Sequence, residues 1–381
     1  MFKKNTVFVI GAGASWEFGM PTGDGLAAII REKLRLDKSE YRRSRVSDQR
    51  IAHLIEARAH ILKRDISEYL TACEAIANGI EVAGSIDQFI WQHNDKPVLR
   101  EVGKLAIAIS LLRAERQGDG RRPNSLYVSL DNINNRLDLG QATNTWLHPF
   151  TRVLVEGVEA ANLEKFGSEV TVITFNYDRG IEHYLLEALE RDFLISRRKA
   201  ADLVRSLKII HVYGDLGPLP EDRGVVTTDI VPYGADVDHT IDLWSVADRL
   251  QTYTEEIRNR NALEAIRSAM SEAERIVFLG FGFAAQNMDI LTPGWPLGDK
   301  SIYSTGFGLD SIEVQEVRAR ITSMCGWGYD DNIHIGRPEQ GAYSFMKALM
   351  LPLAASTTPR PFSRPKAAAI SDLTKEEPEG H

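Results

Sequence analysis

The chain has 381 residues, 43% of them hydrophobic and 26% charged, which suits one large soluble domain or two ordinary ones. With 45 Lys and Arg against 53 Asp and Glu, the formal net charge is −8, which argues against binding nucleic acid over the whole surface. The two cysteines, Cys73 and Cys325, exclude a disulfide framework and a four-cysteine zinc ribbon, and no apolar run reaches the length of a membrane span. Met1-Phe2-Lys3-Lys4 enters a strand with no signal-peptide pattern, so the expected location is cytoplasmic.

Val7 to Ile10 form a continuous apolar run, as in a strand buried on both faces. The run ends in Gly11-Ala12-Gly13-Ala14-Ser15, small residues that let backbone approach a ligand closely. Gly11 and Gly13 supply two glycines of a dinucleotide fingerprint, but its third position is Trp16. Asp24 to Leu34 follows as an amphipathic helix. From about Asp37 to Phe166 strand signal is weak and helical patterns succeed one another: Ile51 to Leu62, Ile66 to Ile80, Ile86 to Trp91, Val98 to Arg113 and Trp146 to Ala161. Ser85 and Gln88 form a capping box at the third of these. Gln117 to Asn124 and Asp131 to Asn144 read as loops. The basic stretch from Arg31 to Arg64 reads as a solvated helical face.

Strands resume at Val170 to Phe175, Leu207 to Val212, Arg275 to Leu279, Ser301 to Thr305 and Asn332 to Ile335. Helices are expected over Asp178 to Leu189, Leu243 to Ile257, Ala262 to Ala273, Asp310 to Ile321 and Phe345 to Leu351. The alternation predicts an α/β fold with a doubly wound, Rossmann-like parallel sheet. Residues 1–36 and 167–354 form its discontinuous nucleotide-binding domain, 37–166 a helical insertion, and the proline-rich 355–381 a disordered tail.

Ligands bind beyond the carboxyl ends of such strands. Four of those ends carry unusual residues: the Gly11 turn, Asn176-Tyr177-Asp178, His211 with Gly214, and Gly280-Phe281-Gly282-Phe283. Each has a plainer reading. The glycines suit any tight turn, Asp178 suits a helix cap, and a lone His at a strand end is often a core residue. His211 is the candidate base, because imidazole titrates near neutrality. Tyr213 is the reserve, as a hydroxyl donor. Asn287 and Asp289 either contact a ribose or cap the next helix.

Gly-Ala-Gly-Ala-Ser followed by Gly19 and Pro21 resembles the opening motif of the sirtuin (silent-information-regulator-like) family. Thr174-Phe175-Asn176-Tyr177-Asp178 resembles that family's T-Q-N-I-D element, with Thr, Asn and Asp at the same spacing. His211-Val212-Tyr213-Gly214 departs from the family's His-Gly, since Tyr213 precedes the glycine. The resemblance covers the first 35 residues or so and Val170 to about Ile335. It implies that NAD+ contacts Gly11, Ala12, Gly13, Ala14, Ser15, Pro21 and Thr22 at the first turn. It also implies contacts at Asn176, Tyr177 and Asp178, and at Gly280, Gly282 and Phe283 on the adenosine side. Asn176 would bind the nicotinamide ribose or aim a water at its anomeric carbon, and His211 would take a proton.

Without a zinc ribbon, and with a long helical insertion, the chain looks like the bacterial sirtuin-like NAD glycohydrolases of anti-phage defence. The resemblance implies cleavage of NAD+ to nicotinamide and ADP-ribose, with defence by NAD depletion. It also implies a homo-oligomer and, in the paired arrangement, a HerA-type hexameric DNA translocase as partner. No metal and no membrane are expected. A protein deacylase or ADP-ribosyltransferase using the same pocket, and a non-catalytic NAD or ADP-ribose binding module, stay open as alternatives.

Overall fold

The computed structural model describes residues 2, 4–37, 45–83, 85–128, 136–221, 229–238, 241–252, 260–326, 328 and 330–354. The tail expected at 355–381 lies outside them, as do 253–257 of the helix expected at 243–257, which ends at Arg249 with an extended Leu250. Six strands form where the sequence predicts them: β1 (Thr6–Ile10), β4 (Val170–Thr174), β5 (Lys208–His211), β6 (Arg275–Leu279), β7 (Ser301–Ser304) and β8 (Ile333–Ile335); a short antiparallel ribbon of β2 (Leu36–Asp37) with β3 (Arg45–Val46) was not expected in the basic stretch read as a helical face. The six long-range strands make one parallel sheet in the order β5-β4-β1-β6-β7-β8. Counting only these six along the chain, the order is 3-2-1-4-5-6, the Rossmann order. The chain builds outward from β1 to β5, then returns to the other side of β1 as β6. That reversal opens a crevice outside the carboxyl ends of β1 and β6.

Side chains alternate across the sheet, and the two faces bury separate cores. Phe8, Ile10, Val172, Val277 and Leu279 face one cluster, while Val7, Val9, Ile173, Ile276 and Phe278 face the other. The second core is closed by α11 (Arg260–Glu272), α12 (Ala285–Leu291) and α13 (Ser311–Cys325), through Ile266, Met270, Leu291, Ile321 and Met324. Asp310 and Glu313 make a complete capping box at the start of α13.

The first core is larger because it continues into the helices between β1 and β4. These are the single turn α1 (Ala12–Ser15), α2 (Gly23–Leu34), α3 (Gln49–Leu62), α4 (Ile66–Ala83), α5 (Ile86–Gln92), α6 (Pro97–Gln117) and α7 (Leu147–Val155). Helix α6 is apolar on every side from Leu105 to Leu112 and buried throughout that stretch, as an all-round apolar helix must be. Helix α7 lies on the sheet itself, where Phe150 packs edge-on against Phe8 with ring centroids 5.0 Å apart. On the same side lie α8 (Gly180–Asp192), α9 (Arg197–Ser206), α10 (Leu243–Arg249) and α14 (Ala342–Ala354).

Two carboxylates, the part-buried Glu17 and the buried Glu115, tie this side together. Glu17, just past the glycine turn, accepts from the amides of Trp146 (2.9 Å) and Tyr343 (2.8 Å), at the starts of α7 and α14. Glu115, near the end of α6, pairs with the Arg179 guanidinium at 2.6 Å, and Arg179 also donates to the carbonyl of Gly217 at 2.9 Å.

Candidate functional site

The glycine turn after β1 and the glycine turn after β6 touch each other across the crevice. Gly13 N donates to Gly280 O at 3.0 Å. A Cβ on Gly11 would stand 2.5 Å from Gly280 O, and one on Gly280, whose φ is +56°, would stand 2.0 Å from Ala14 N. Three glycines are therefore demanded by contact between the two turns, before any ligand is considered. Gly282 differs: among the described residues nothing lies within 4 Å of the Cβ it lacks. Gly280 N donates to Thr305 Oγ1 at 2.9 Å, which ties the second turn to the end of β7.

A cleft of about 360 Å³ opens here. Its floor is Gly11, Ala12 and Gly13 on one side and Gly280, Phe281 and Gly282 on the other, with Asn176 at the end of β4. Thr22 and Gly23, at the start of α2, close one wall. Helix α5 closes another with Asp87, Gln88 and the half-exposed Trp91, all on one helical face. Ser85 Oγ accepts from Gln88 N at 3.1 Å, the first half of the expected capping box. The Gln88 side chain is used elsewhere: its Oε1 accepts from Gln286 Nε2 at 3.1 Å, a bridge from α5 to α12. Tyr213 lines the remaining side and donates to Asn287 Oδ1 at 2.6 Å.

Asn176 is held by its amide. Its Nδ2 donates to Gly11 O at 3.0 Å and to Ser15 Oγ at 2.8 Å. Ser15 in turn donates to Asp178 Oδ2 at 2.7 Å, and Asp178 Oδ1 accepts from Gly180 N at 3.1 Å. Both amide hydrogens are thus spent, and the side-chain oxygen Oδ1 is the end left for other chemistry. Asp178 is not the N-cap expected of it: that position is Arg179, and Asp178, one residue earlier, bonds the first helical amide and anchors the chain of bonds that aims Asn176. Burial raises its carboxyl to about pKa 6, against the lowering effect of the Ser15 and Gly180 bonds.

Asp87 is the ionisable group in the cleft wall. Burial pushes its carboxyl up from the usual range, opposed by the Tyr177 hydroxyl, which donates to Oδ1 at 2.8 Å. Sequence reasoning missed it as a site residue, because the capping box already accounted for its neighbours Ser85 and Gln88.

The expected residues therefore divide. Gly11, Ala12, Gly13, Thr22, Asn176, Gly280 and Gly282 meet at the cleft. Ser15 and Asp178 stand behind Asn176, and Tyr177 supports Asp87. Ala14, Pro21 and Phe283 do not line the cleft; Phe283 is buried in the second core. The amides of Gly13 and Ala14 are already bonded, to Gly280 O and Gly11 O, so they are not free to hold a phosphate.

His211 is the main correction. It does not line the cleft. It lines a second cavity of about 250 Å³ with Glu182, Arg205, Asp215 and the apolar Leu207, Ile209 and Leu219. Its Nδ1 lies 3.1 Å from the Asn176 carbonyl oxygen and its Nε2 lies 2.8 Å from Glu182 Oε1. The expectation assumed that residues two apart on a strand share a face. Strand β5 ends at His211, and the backbone turns back there, with Gly214 N donating to His211 O at 3.3 Å. Tyr213 lies beyond the alternation, so it alone reaches the cleft.

Among the described residues, no group of three or more His, Cys, Asp or Glu is placed to hold a metal ion. No described helix is long and apolar enough to cross a membrane. No protein-family model matches the chain, and no curated protein matches it.

Proposed function

We propose that the chain is an NAD+ glycohydrolase, which cleaves NAD+ to nicotinamide and ADP-ribose. The observation that carries the reading is the Asn176 side chain. It is locked by Gly11 and Ser15 at the reversal of a Rossmann-ordered sheet, between two glycine turns, with only its amide oxygen uncommitted. Nicotinamide is a cationic leaving group, and its departure leaves an oxocarbenium-like ribose. The enzyme needs mainly positioning and a favourable field.

The roles follow from the cleft. Asn176 Oδ1 accepts from a ribose hydroxyl or from a water aimed at the anomeric carbon. The Asp87 carboxylate supplies negative charge beside the developing cation and accepts the proton of the attacking water. Tyr213, rather than His211, is the side chain of the β5 end that lines the cleft, where its hydroxyl oxygen can accept from substrate while its proton goes to Asn287. Gly282, with open space at its Cα, is where the dinucleotide comes closest to the backbone. Helix α5 and the Gln88–Gln286 bridge narrow the cleft, which favours water over a bulky acceptor and so hydrolysis over acyl-lysine or ADP-ribosyl transfer.

The cellular part of the proposal is NAD depletion in anti-phage defence. It includes a cytoplasmic homo-oligomer acting with a HerA-type translocase, and it rests on the sirtuin resemblance. The enzymatic part is tested by incubating the purified chain with NAD+ and separating products by chromatography. Equimolar nicotinamide and ADP-ribose are expected. Intact NAD+ after prolonged incubation, with and without a HerA-type translocase, contradicts the reading.

A further inference from the structure

Asn176 is gripped at both ends. Its amide is tied to the first glycine turn, and its backbone carbonyl accepts from His211 Nδ1 at 3.1 Å. Glu182 Oε1, on the first turns of α8, lies 2.8 Å from the other ring nitrogen. A carbonyl and a carboxylate are both acceptors, so both ring nitrogens must carry hydrogens to satisfy them. His211 is then an imidazolium with no free nitrogen, and it lies in a cavity that shares no lining residue with the cleft. Such a group cannot take a proton from water or ribose.

We propose that Glu182 and His211 are a positioning pair: Glu182 holds His211 as a two-donor imidazolium, and His211 fixes the Asn176 carbonyl and so the aim of the Asn176 amide. This rests on the NAD+ reading of the cleft and deepens it. Neither residue touches substrate; both act through Asn176. The surrounding charges support the cation. Glu182 faces the ring from α8, Asp178 from the turn before α8, and Asp215 from the loop after β5. Asp215 is itself bonded at 2.9 Å to Arg249 of α10, and Arg179, which lines the same cavity, is neutralised by Glu115. Burial alone would lower the imidazole pKa. The Glu182 charge and bond, with Asp215 and the Asn176 carbonyl, outweigh it and raise the pKa to about 9.

The sign of the pH dependence separates this role from that of a base. A base works once it has lost its proton, so activity would rise with pH through its titration. A positioning imidazolium works below its pKa, so activity falls as pH rises through about 9. The experiment is the pH profile of NAD+ turnover for the wild type, Glu182→Gln and His211→Gln, each checked for folding by thermal melt. His211→Gln retains a donor for the Asn176 carbonyl but does not titrate.

Wild type should show an alkaline limb near pH 9. Glu182→Gln should move that limb toward neutrality by about one pH unit or more, with turnover at pH 9 down about tenfold. His211→Gln should keep part of the activity and lose the limb. A rise in neutral-pH turnover in Glu182→Gln, or an unmoved limb, overturns the positioning pair alone. Inactivity of a folded His211→Gln at every pH does the same. Absence of wild-type turnover at every pH overturns the NAD+ reading and the positioning role with it.

Discussion

Two cavities open at the same end of the sheet, one on each side of Asn176, and they are built in opposite ways. The cleft is floored by backbone and neutral amides, and its polar atoms are bonded in advance around open space. The cavity at His211 mixes apolar side chains such as Leu186, Val204 and Ile209 with charged ones, among them the His211–Glu182 pair, Arg205 and Asp215. The first arrangement suits a ligand that brings its own charge and hydrogen-bonding groups. The second suits a fixed internal cation. Asn176 links them: its side chain lines the cleft, and its carbonyl is bonded to His211, which lines the other cavity. Residue type alone would put His211 at the centre of the chemistry; direction puts it behind the wall.

The largest expected effect tests the cleft side. Asn176→Ala should leave a folded protein and lower turnover by about 10²–10³-fold, as loss of a preorganised polar group does. Steady-state assays beside a thermal melt would check it. A variant that melts normally and turns over normally removes Asn176 from the site.

The two glycine turns give the next contrast. Gly280→Ala places a Cβ against the Ala14 amide at a positive φ, and should cost about 3 kcal/mol or prevent folding. Gly282→Ala meets nothing, and its stability should change by no more than about 0.5 kcal/mol. Its NAD+ affinity should nonetheless fall, because the new methyl enters ligand space. Denaturant melts with calorimetric titration separate the two outcomes. Equal effects of the two substitutions on stability would break the comparison.

Tyr213→Phe removes the hydroxyl bonded to Asn287 on the cleft side. It should lower turnover about tenfold, the value of one good hydrogen bond, without moving the alkaline limb assigned to His211. A moved limb would mean that the two strand-end residues are coupled after all.

The smallest effect is an acid limb. Asp178 must be ionised to anchor Ser15 and through it Asn176, so turnover should fall as pH drops through about 6. The stability sign runs the other way. Its folded pKa lies above the unfolded value of roughly 3.9, so the folded state keeps the proton that the unfolded state releases. Its contribution to stability therefore declines as pH rises from about 4 to about 6. Asp178→Asn should remove the limb near pH 6 from a pH–rate series and leave only the acid limb set by ionisation of Asp87.

Much of this was legible in the sequence. The buried strands announced themselves as β-branched runs, and the Rossmann order follows once they pair in parallel. Asn176 and the glycine turns stand where a strand end must deliver them. The reason for the glycines was not legible, because it lies in contact between Gly11 and Gly280, which are 269 positions apart. Helix α9 was missed because its Arg-Arg-Lys start hides the apolar stripe of Ala200, Leu203 and Val204. Helix α12 was missed because it is short and begins without a side-chain cap. Asp87 comes from a helix outside the nucleotide-binding pattern, so only packing could bring it to the cleft. Tyr213 rather than His211 lines the cleft because strand alternation stops where the strand does.

Asn176 is the residue proposed to separate binding from cleavage. The most direct measurement pairs NAD+ affinity with nicotinamide release for wild type and Asn176→Ala. The account predicts that the wild type binds and cleaves, while the variant still binds NAD+ within about tenfold but releases nicotinamide at least about 10²-fold more slowly. Nicotinamide release undiminished in the variant, or NAD+ binding absent from the wild type, would contradict it.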